Sequence, residues 1–406
     1  MSAPSPSLSR AWIVVALLAP VAALAYLDRV MITTMRVSVL EAIPMTEAQF
    51  GLLTSAFLWT YAAMSPFGGF LADRLNRSLV ITASLFLWSA ITWLTAYATT
   101  FEALLLTRAV LGISQGCYMP AALALITDHH RGPTRSLATS IHTIGVSVGS
   151  GLGGVGGWLA ERQDWTFAFA LFGAIGVGYS VALAAGLRDA PAKAPAETRA
   201  PVRFRDAMSS LFRIPSFHLA LLYWGLLAIA GWASVGWLPT LLGEKFHLSQ
   251  GKAGMSATAY LPPATWVGAL LGGFLSDRWA GRHPRGRIFV AMIGLGFSAP
   301  CTLVALEANS LPVTIVAFML WSSGFAFATI NMMPILCLIA DERYRATGFG
   351  VLNLFSCFMG GLTIYLGGIV RDAQVNVDVV FRAGALVTLV CVGLLWLIRP
   401  TAGVGR

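Results

Sequence analysis

Charge is what this chain has least of. Asp, Glu, Lys and Arg make up 11% of its 406 residues, where soluble domains carry about a quarter. A chain so poor in solvated groups cannot cover a water-facing surface, so the composition excludes an ordinary soluble fold. Cysteine is scarce as well. Cys117, Cys301, Cys337, Cys357 and Cys391 each stand alone in apolar sequence, which offers neither a disulfide frame nor a CxxC metal site. The apolar segments also lack paired carboxylates, a nucleophile with its base, and any spaced cluster of metal ligands. A membrane enzyme therefore has no constellation to work with, and no cofactor or metal is expected.

Two motifs that would point elsewhere fail on context. Gly149, Gly151 and Gly154 spell GxGxxG, but no strand precedes them and no βαβ unit surrounds them. Gly145, Gly149, Gly153 and Gly157 instead recur every fourth residue, a small-residue stripe that lets two membrane helices approach closely. The expected partner of that stripe is a helix of the C-terminal half. His129 and His130 are adjacent, so they point apart on a helix, and they read as entry to a solvated loop. The net charge of +9 would suggest nucleic acid in a soluble chain; here it is first tested against the positive-inside rule.

What the chain has in quantity is hydrophobic length. Hydrophobic residues make up 57% of the sequence, and a run of about 20 of them crosses about 30 Å of hydrocarbon. Such runs lie near 11–35, 49–72, 78–97, 101–127, 134–160 and 165–187, then near 216–243, 252–276, 287–306, 310–339, 344–370 and 378–398. The reading is an all-α membrane protein with twelve transmembrane helices. The opening run could pass for a signal peptide, with small residues at Ala22, Ala23 and Ala25, but it is long, and removing it would spoil the repeat described next.

Between the two sets of six lies a stretch rich in alanine, proline and charge, which reads as a solvated linker. The expected organisation is an N-terminal six-helix bundle at 1–187, a cytoplasmic linker at 188–215, a C-terminal bundle at 216–399 and a cytoplasmic tail at 400–406. Placing the N-terminus inside puts most of the 27 Lys and Arg residues on the cytoplasmic side. Both termini are thus expected in the cytoplasm, in the inner membrane, and the basic balance reflects topology rather than a nucleic-acid partner. Gly68–Arg74, "GGFLADR", returns as Gly272–Arg278, "GGFLSDR", half a chain later. The halves are duplicates, and parallel repeats of this kind are a transporter architecture with the site at the repeat interface.

Here the sequence resembles the major facilitator superfamily. Gly69, Asp73, Arg74 and Arg77 match its signature loop after the second span; Gly273, Asp277, Arg278 and Arg282 form the second copy, with one extra residue before the last arginine. The resemblance implies that these loops form a cytoplasmic gating network. Within the superfamily, "YLDR" at Tyr26–Arg29 and "RAVLGISQG" at Arg108–Gly116 are similar to the anion:cation symporters, which move organic anions with protons. "FLADRLNR" and "GSGLGG" are similar to the spinster-like lipid transporters.

One feature of the first span demands a reason. Asp28 and Arg29 interrupt a run in which every residue from Ala11 to Leu27 is apolar or aromatic, and a charge at mid-bilayer costs roughly 2.5–3.5 kcal/mol on insertion scales. Counting about 1.5 Å per residue, Asp28 and Arg108 both fall about 10 Å below the outer surface, and Gln115 lies on the same helix face as Arg108. Asp28 can pair with either arginine, leaving one positive charge over for an anion. Arg29 or Arg108 is expected to grip a carboxylate or phosphate, and Asp28 to hold the other arginine or to carry the coupled proton. The resemblance implies that Gln115 occupies a position commonly glutamate in proton-coupled relatives; an amide cannot release a proton, so a facilitator without coupling is the alternative. Tyr26, His142, Trp232, Asn331 and Asn353 complete the expected substrate-binding set, although for Trp232 and Trp237 interfacial anchoring is the commoner use. The expected partners are a small anionic substrate, protons and the lipid bilayer, with no nucleic acid, and the protein is expected to act as a monomer. The rivals are a spinster-like carrier of a lipid or amphiphile and a sensor without transport.

Overall fold

A computed structural model describes residues 8–130, 134–190, 204–341 and 344–399. All regular structure among them is helical. In chain order the helices are α1 (Leu8–Thr34), α2 (Arg36–Ala42), α3 (Glu47–Arg74), α4 (Arg77–Thr95), α5 (Phe101–Gly116), α6 (Tyr118–His129), α7 (Arg135–Leu152), α8 (Gly154–Arg162) and α9 (Trp165–Gly186). They continue as α10 (Phe204–Phe212), α11 (Pro215–Phe246), α12 (Gln250–Thr258), α13 (Leu261–Ala280), α14 (Gly286–Glu307), α15 (Leu311–Thr329), α16 (Met332–Ile339), α17 (Arg345–Asp372) and α18 (Asp378–Leu397). Backbone polar groups in lipid must be satisfied within their own segment, which is why an apolar chain of this length resolves into helices.

Twelve spans result because several are built from two pieces. The fourth is α5 with α6, the fifth α7 with α8, the eighth α12 with α13 and the tenth α15 with α16. Proline explains three of the four breaks. It has no N–H to give the carbonyl four residues back. Pro120 leaves Gly116 without a donor, Pro334 does the same to Ile330, and Pro263 to Ala259, each at the observed break. The fifth span breaks at Gly153 within its run of glycines. Among the described residues, nine helices are long and apolar enough to cross a membrane by composition alone. The spans of α3, of α7 with α8 and of α12 with α13 are not among them, the latter two being broken and rich in small residues.

The chain divides into two compact units. Unit 1 is Met1–Arg199 with His247–Thr258; unit 2 is Ala200–Phe246 with Ala259–Arg406. Helix α12 therefore packs in unit 1, on α8, although α11 and α13 on either side of it in the chain belong to unit 2. Each unit repeats one packing scheme. In unit 1 α1 packs with α7, α3 with α5 and α4 with α9; in unit 2 the corresponding pairs are α11 with α17, α13 with α15 and α14 with α18, alongside an extensive contact of α14 with α15. Shifting by six spans maps one set on the other, so the duplication read from the two signature loops extends to the helix contacts.

The glycine stripe meets a different partner from the one expected. A Cβ at Gly145 would run into the backbone oxygen of Ala19, one at Gly149 into that of Ala23, and one at Gly157 into that of Thr34. The stripe faces α1, inside unit 1. It is Gly154, one residue off the stripe, whose Cβ would strike the backbone of Gly254 in α12. The reason is depth: α1 and α7 touch backbone to backbone along their length, which only glycine permits.

Candidate functional site

Asp28 and Arg29 sit in the last third of α1, and Arg108 and Gln115 on α5. All four side chains are buried, with Arg29 the least so at 6% exposure and Arg108 and Gln115 at 1%. The structure brings together the residues that the spacing had placed at one depth, but the pairing is not a simple ion pair. The Thr92 hydroxyl on α4 donates to Asp28 Oδ2 at 3.2 Å, and Asp28 Oδ1 has no hydrogen-bond partner among the described residues. Arg108 Nη1 donates to the backbone oxygen of Asp28 at 3.4 Å, while its Nε and Nη2 have no partner among the described residues. The two opposite charges act on each other through space.

Arg29 points to the other end of the cluster. Its Nη2 donates to Gln115 Oε1 at 3.4 Å. Three rings surround the guanidinium: Tyr26 at 4.4 Å, Phe57 at 4.9 Å and Tyr61 at 4.4 Å from ring centre to Cζ. Such cation–π contacts stabilise a planar cation out of bulk water. Arg108 has one ring, Phe169, at 5.1 Å. The cluster thus holds two guanidinium groups and one carboxyl, and a guanidinium fork is a group that can bind an oxyanion.

Thr92, Phe57 and Tyr61 are absent from the residues singled out in the sequence. Phe57 and Tyr61 stand four apart on α3 and share a face, a faint signal; Thr92 gives none, since a threonine in an apolar helix usually bonds its own backbone.

The remaining expected site residues have diverse surroundings. Tyr26 is half-buried against Arg29. His142 is 1% exposed, and its Nε2 lies 2.8 Å from the Tyr118 hydroxyl, so it satisfies a neighbouring helix. In unit 2, Asn331 donates through Nδ2 to Ser276 Oγ and to the Phe327 oxygen, both at 2.7 Å. Asn353 is half-buried with no hydrogen bond among the described residues. Trp237 is 1% exposed and donates to the Ile364 oxygen at 3.1 Å, and the half-buried Trp232 indole lies on Gly360 of α17. His129 and His130 are likewise buried rather than solvated. His130 packs edge-on to Trp12 at 4.7 Å and bonds Thr134 through Nδ1 at 3.0 Å.

Two ion pairs lie at the signature loops. Arg77 pairs with Asp128 at the end of α6. Arg74 stacks on Phe70 at 4.2 Å, and the side chain of Asp73 lies outside the described residues. In the second copy Arg287 reaches Asp277 at 3.4 Å, while Arg278 and Arg282 are exposed. The glycine that permits close approach is the one before those expected. A Cβ at Gly68 would strike Cys117 and Gly116 at the break of the fourth span, and one at Gly272 would strike Phe327 in the tenth; Gly69 and Gly273 have room. Among the described residues no group of His, Cys, Asp and Glu could hold a metal ion.

Known proteins bear on this geometry. The family profile described as Major Facilitator Superfamily matches residues 18–364. The chain is 29% identical to a probable sulfoacetate transporter of Cupriavidus necator, over 89% of this chain and 88% of that one. It is 27% identical to an MFS-type efflux pump of Mycolicibacterium smegmatis, over 90% of this chain and 85% of the pump. In fold it is similar to the crystal structure of a bacterial homologue of the human lysosomal transporter Spinster, inward-facing and unoccupied, with a TM-score of 0.77, 22% identity, and coverage of 97% and 96%.

Proposed function

The chain belongs to the Major Facilitator Superfamily of membrane transporters, and on that premise we propose that it carries a small organic anion by secondary active transport, with Asp28 binding the coupled proton. The observation that carries this reading is the buried guanidinium of Arg29, ringed by Tyr26, Phe57 and Tyr61 and edged by the Gln115 amide. A guanidinium presents two parallel N–H groups that match a carboxylate or sulfonate. Arg108, turned to the Asp28 backbone, keeps that helix pair neutral and is reserved for Asp28. Likeness to a probable sulfoacetate transporter supports an organic anion as the substrate. The bundles at 1–187 and 216–399 act as the two halves of an alternating-access carrier, with Arg77 and its counterpart loop on the cytoplasmic side and both termini inside. Asn331, Asn353 and Trp232 are the contributions of the C-terminal half to the substrate.

A second reading is a spinster-like carrier of a lipid or amphiphile, favoured by the same three rings, which offer an apolar body a surface beside a cation. Purified protein in liposomes separates the two. Uptake of sulfoacetate or a sugar acid, driven by an inward proton gradient and lost in Arg29→Ala, is the expected result. Movement of a lysophospholipid with no uptake of either anion would overturn it in favour of the second reading, and anion uptake indifferent to the gradient would replace symport by facilitated diffusion.

A further inference from the structure

The two signature turns differ in how their arginines are balanced. In unit 1, Arg77 pairs with Asp128, and Asp189 accepts from the backbone N–H and the hydroxyl of Ser78 at 2.9 and 3.2 Å, at the start of α4. Each carboxylate has a fixed place in the chain. Asp128 stands two residues before His130, which closes α6, and Asp189 two residues after Leu187, which closes α9. The residues so placed in unit 2 are Leu338, before the close of α16 at Ala340, and Pro400, after the close of α18 at Ile398. Neither carries a charge.

The turn between α13 and α14 nevertheless has more positive charge to balance. Arg278, Arg282, Arg285 and Arg287 fall within ten residues, and the one carboxylate adjoining them, Asp277, is 81% exposed and reaches Arg287 at 3.4 Å. An exposed pair of that length contributes little. Among the described residues no carboxylate pairs with Arg278, Arg282 or Arg285. No side chain caps the start of α14, so the partial positive charge of its first amides adds to that of the arginines. The turn is cationic, and the chain supplies no anion to match.

What adjoins this charge is apolar. Arg285 donates through Nη2 to the backbone oxygen of Trp396 at the end of α18, and its guanidinium lies 5.3 Å from the Trp396 ring and 5.5 Å from that of Phe289. The turn is thereby tied to α18, on which α14 packs. Trp396 is exposed, and tryptophan at the end of a span marks the level of the lipid head groups. Two to three turns deeper the exposed surface continues with Ile293 and Phe297 of α14 and with Leu386 and Val390 of α18. Each pair is spaced by four and shares a face. An apolar surface of this kind on a membrane span is one that acyl chains cover.

Charge at the turn, an indole at the boundary and an apolar face below it match one class of molecule. A guanidinium binds phosphate through parallel N–H groups, and basic clusters at a membrane surface attract anionic lipid. We propose that the α13–α14 turn and the end of α18 form a binding site for an anionic phospholipid, its head group held by Arg278, Arg282 and Arg285 and its acyl chains lying along α14 and α18. The site is independent of the substrate the protein carries. In unit 1 the corresponding turn is answered from within the chain, by Asp128 and Asp189.

Native mass spectrometry of the full-length protein in detergent, titrated with equal amounts of phosphatidylglycerol and phosphatidylcholine of the same acyl chains, counts the lipid retained. Phosphatidylglycerol is expected to be preferred at least about tenfold. Arg278→Gln, Arg282→Gln and Arg285→Gln are each expected to lower that preference about fivefold, and added salt to lower it further. Arg188→Gln, on the unit 1 side, is the control and is expected to leave it unchanged. Should Arg285→Gln lose its fold together with its bond to α18, the double variant Arg278→Gln, Arg282→Gln carries the test, since those two side chains are exposed and make no bond among the described residues. Equal retention of the two lipids by the wild-type protein, or a preference that survives the double variant, overturns the proposal. Displacement of phosphatidylglycerol by glycerol phosphate at equal concentration overturns it as well, because the turn would then be a plain anion site with no need of lipid.

Discussion

At Arg29 the choice between arginine and lysine carries the specificity. Lysine keeps the charge but loses the planar fork and the stacking on Tyr26, Phe57 and Tyr61. Arg29→Lys is therefore expected to raise the KM for an anionic substrate about tenfold, the equivalent of losing one charge-assisted contact, with little change in melting temperature; initial uptake rates over a concentration series measure it. Gln115→Glu puts a carboxylate where the amide oxygen now accepts from Arg29 at 3.4 Å. The new negative charge competes with an anion for the Arg29 guanidinium, so anion affinity is expected to fall and the pH dependence of uptake to change. Uptake with an unaltered proton dependence would remove position 115 from the coupling path. The charged members of this cluster were legible in the sequence because a charge in an apolar run has to be explained by a partner. Thr92 and the rings of α3 were not, since hydroxyls and aromatics occur throughout membrane helices for packing alone.

Helices are shaped here by residues that remove something. Pro120 removes a donor, and Pro120→Ala is expected to return an N–H to the Gly116 carbonyl, straighten the fourth span and raise thermal stability by about 1 kcal/mol or more. The gain is expected to come with slower uptake, because Gly68 packs on the break itself. Glycine removes a side chain. Gly149→Val would push a side chain into the Ala23 backbone oxygen, and overpacking of this kind costs about 1–3 kcal/mol or more. A drop in melting temperature and in membrane yield checks it; Gly178→Ala, with open space around it, is the control and is expected to leave both unchanged. The repeat every fourth residue announced a close contact, but it named no partner, because a stripe of glycines fits any helix that approaches.

For the whole molecule, the duplicated signature and the distribution of basic residues lead to an even number of spans with both ends on one side. Reporter fusions at the C-terminus and after α11 test this: activity of a cytoplasmic reporter at the first and of a periplasmic reporter at the second is expected, and the reverse pattern would invert the topology. The sequence by itself determined the class, the number of spans and the doubling, because each follows from local rules: the apolar length that crosses a bilayer, the cost of an isolated charge, and a repeated string of residues. The helix breaks were not read from it: Pro120, Pro263 and Pro334 stand at breaks, while Pro20, Pro66, Pro239 and Pro300 lie inside continuous helices. Only the tertiary structure decided that Thr92 rather than an arginine bonds the Asp28 carboxylate, that three rings enclose Arg29, that His142 is held by Tyr118, and that the stripe of α7 faces α1. These depend on which helix faces meet at a given depth. In lipid every apolar face is equally content, so the choice among faces rests on shape and on a few polar contacts between residues far apart in the chain.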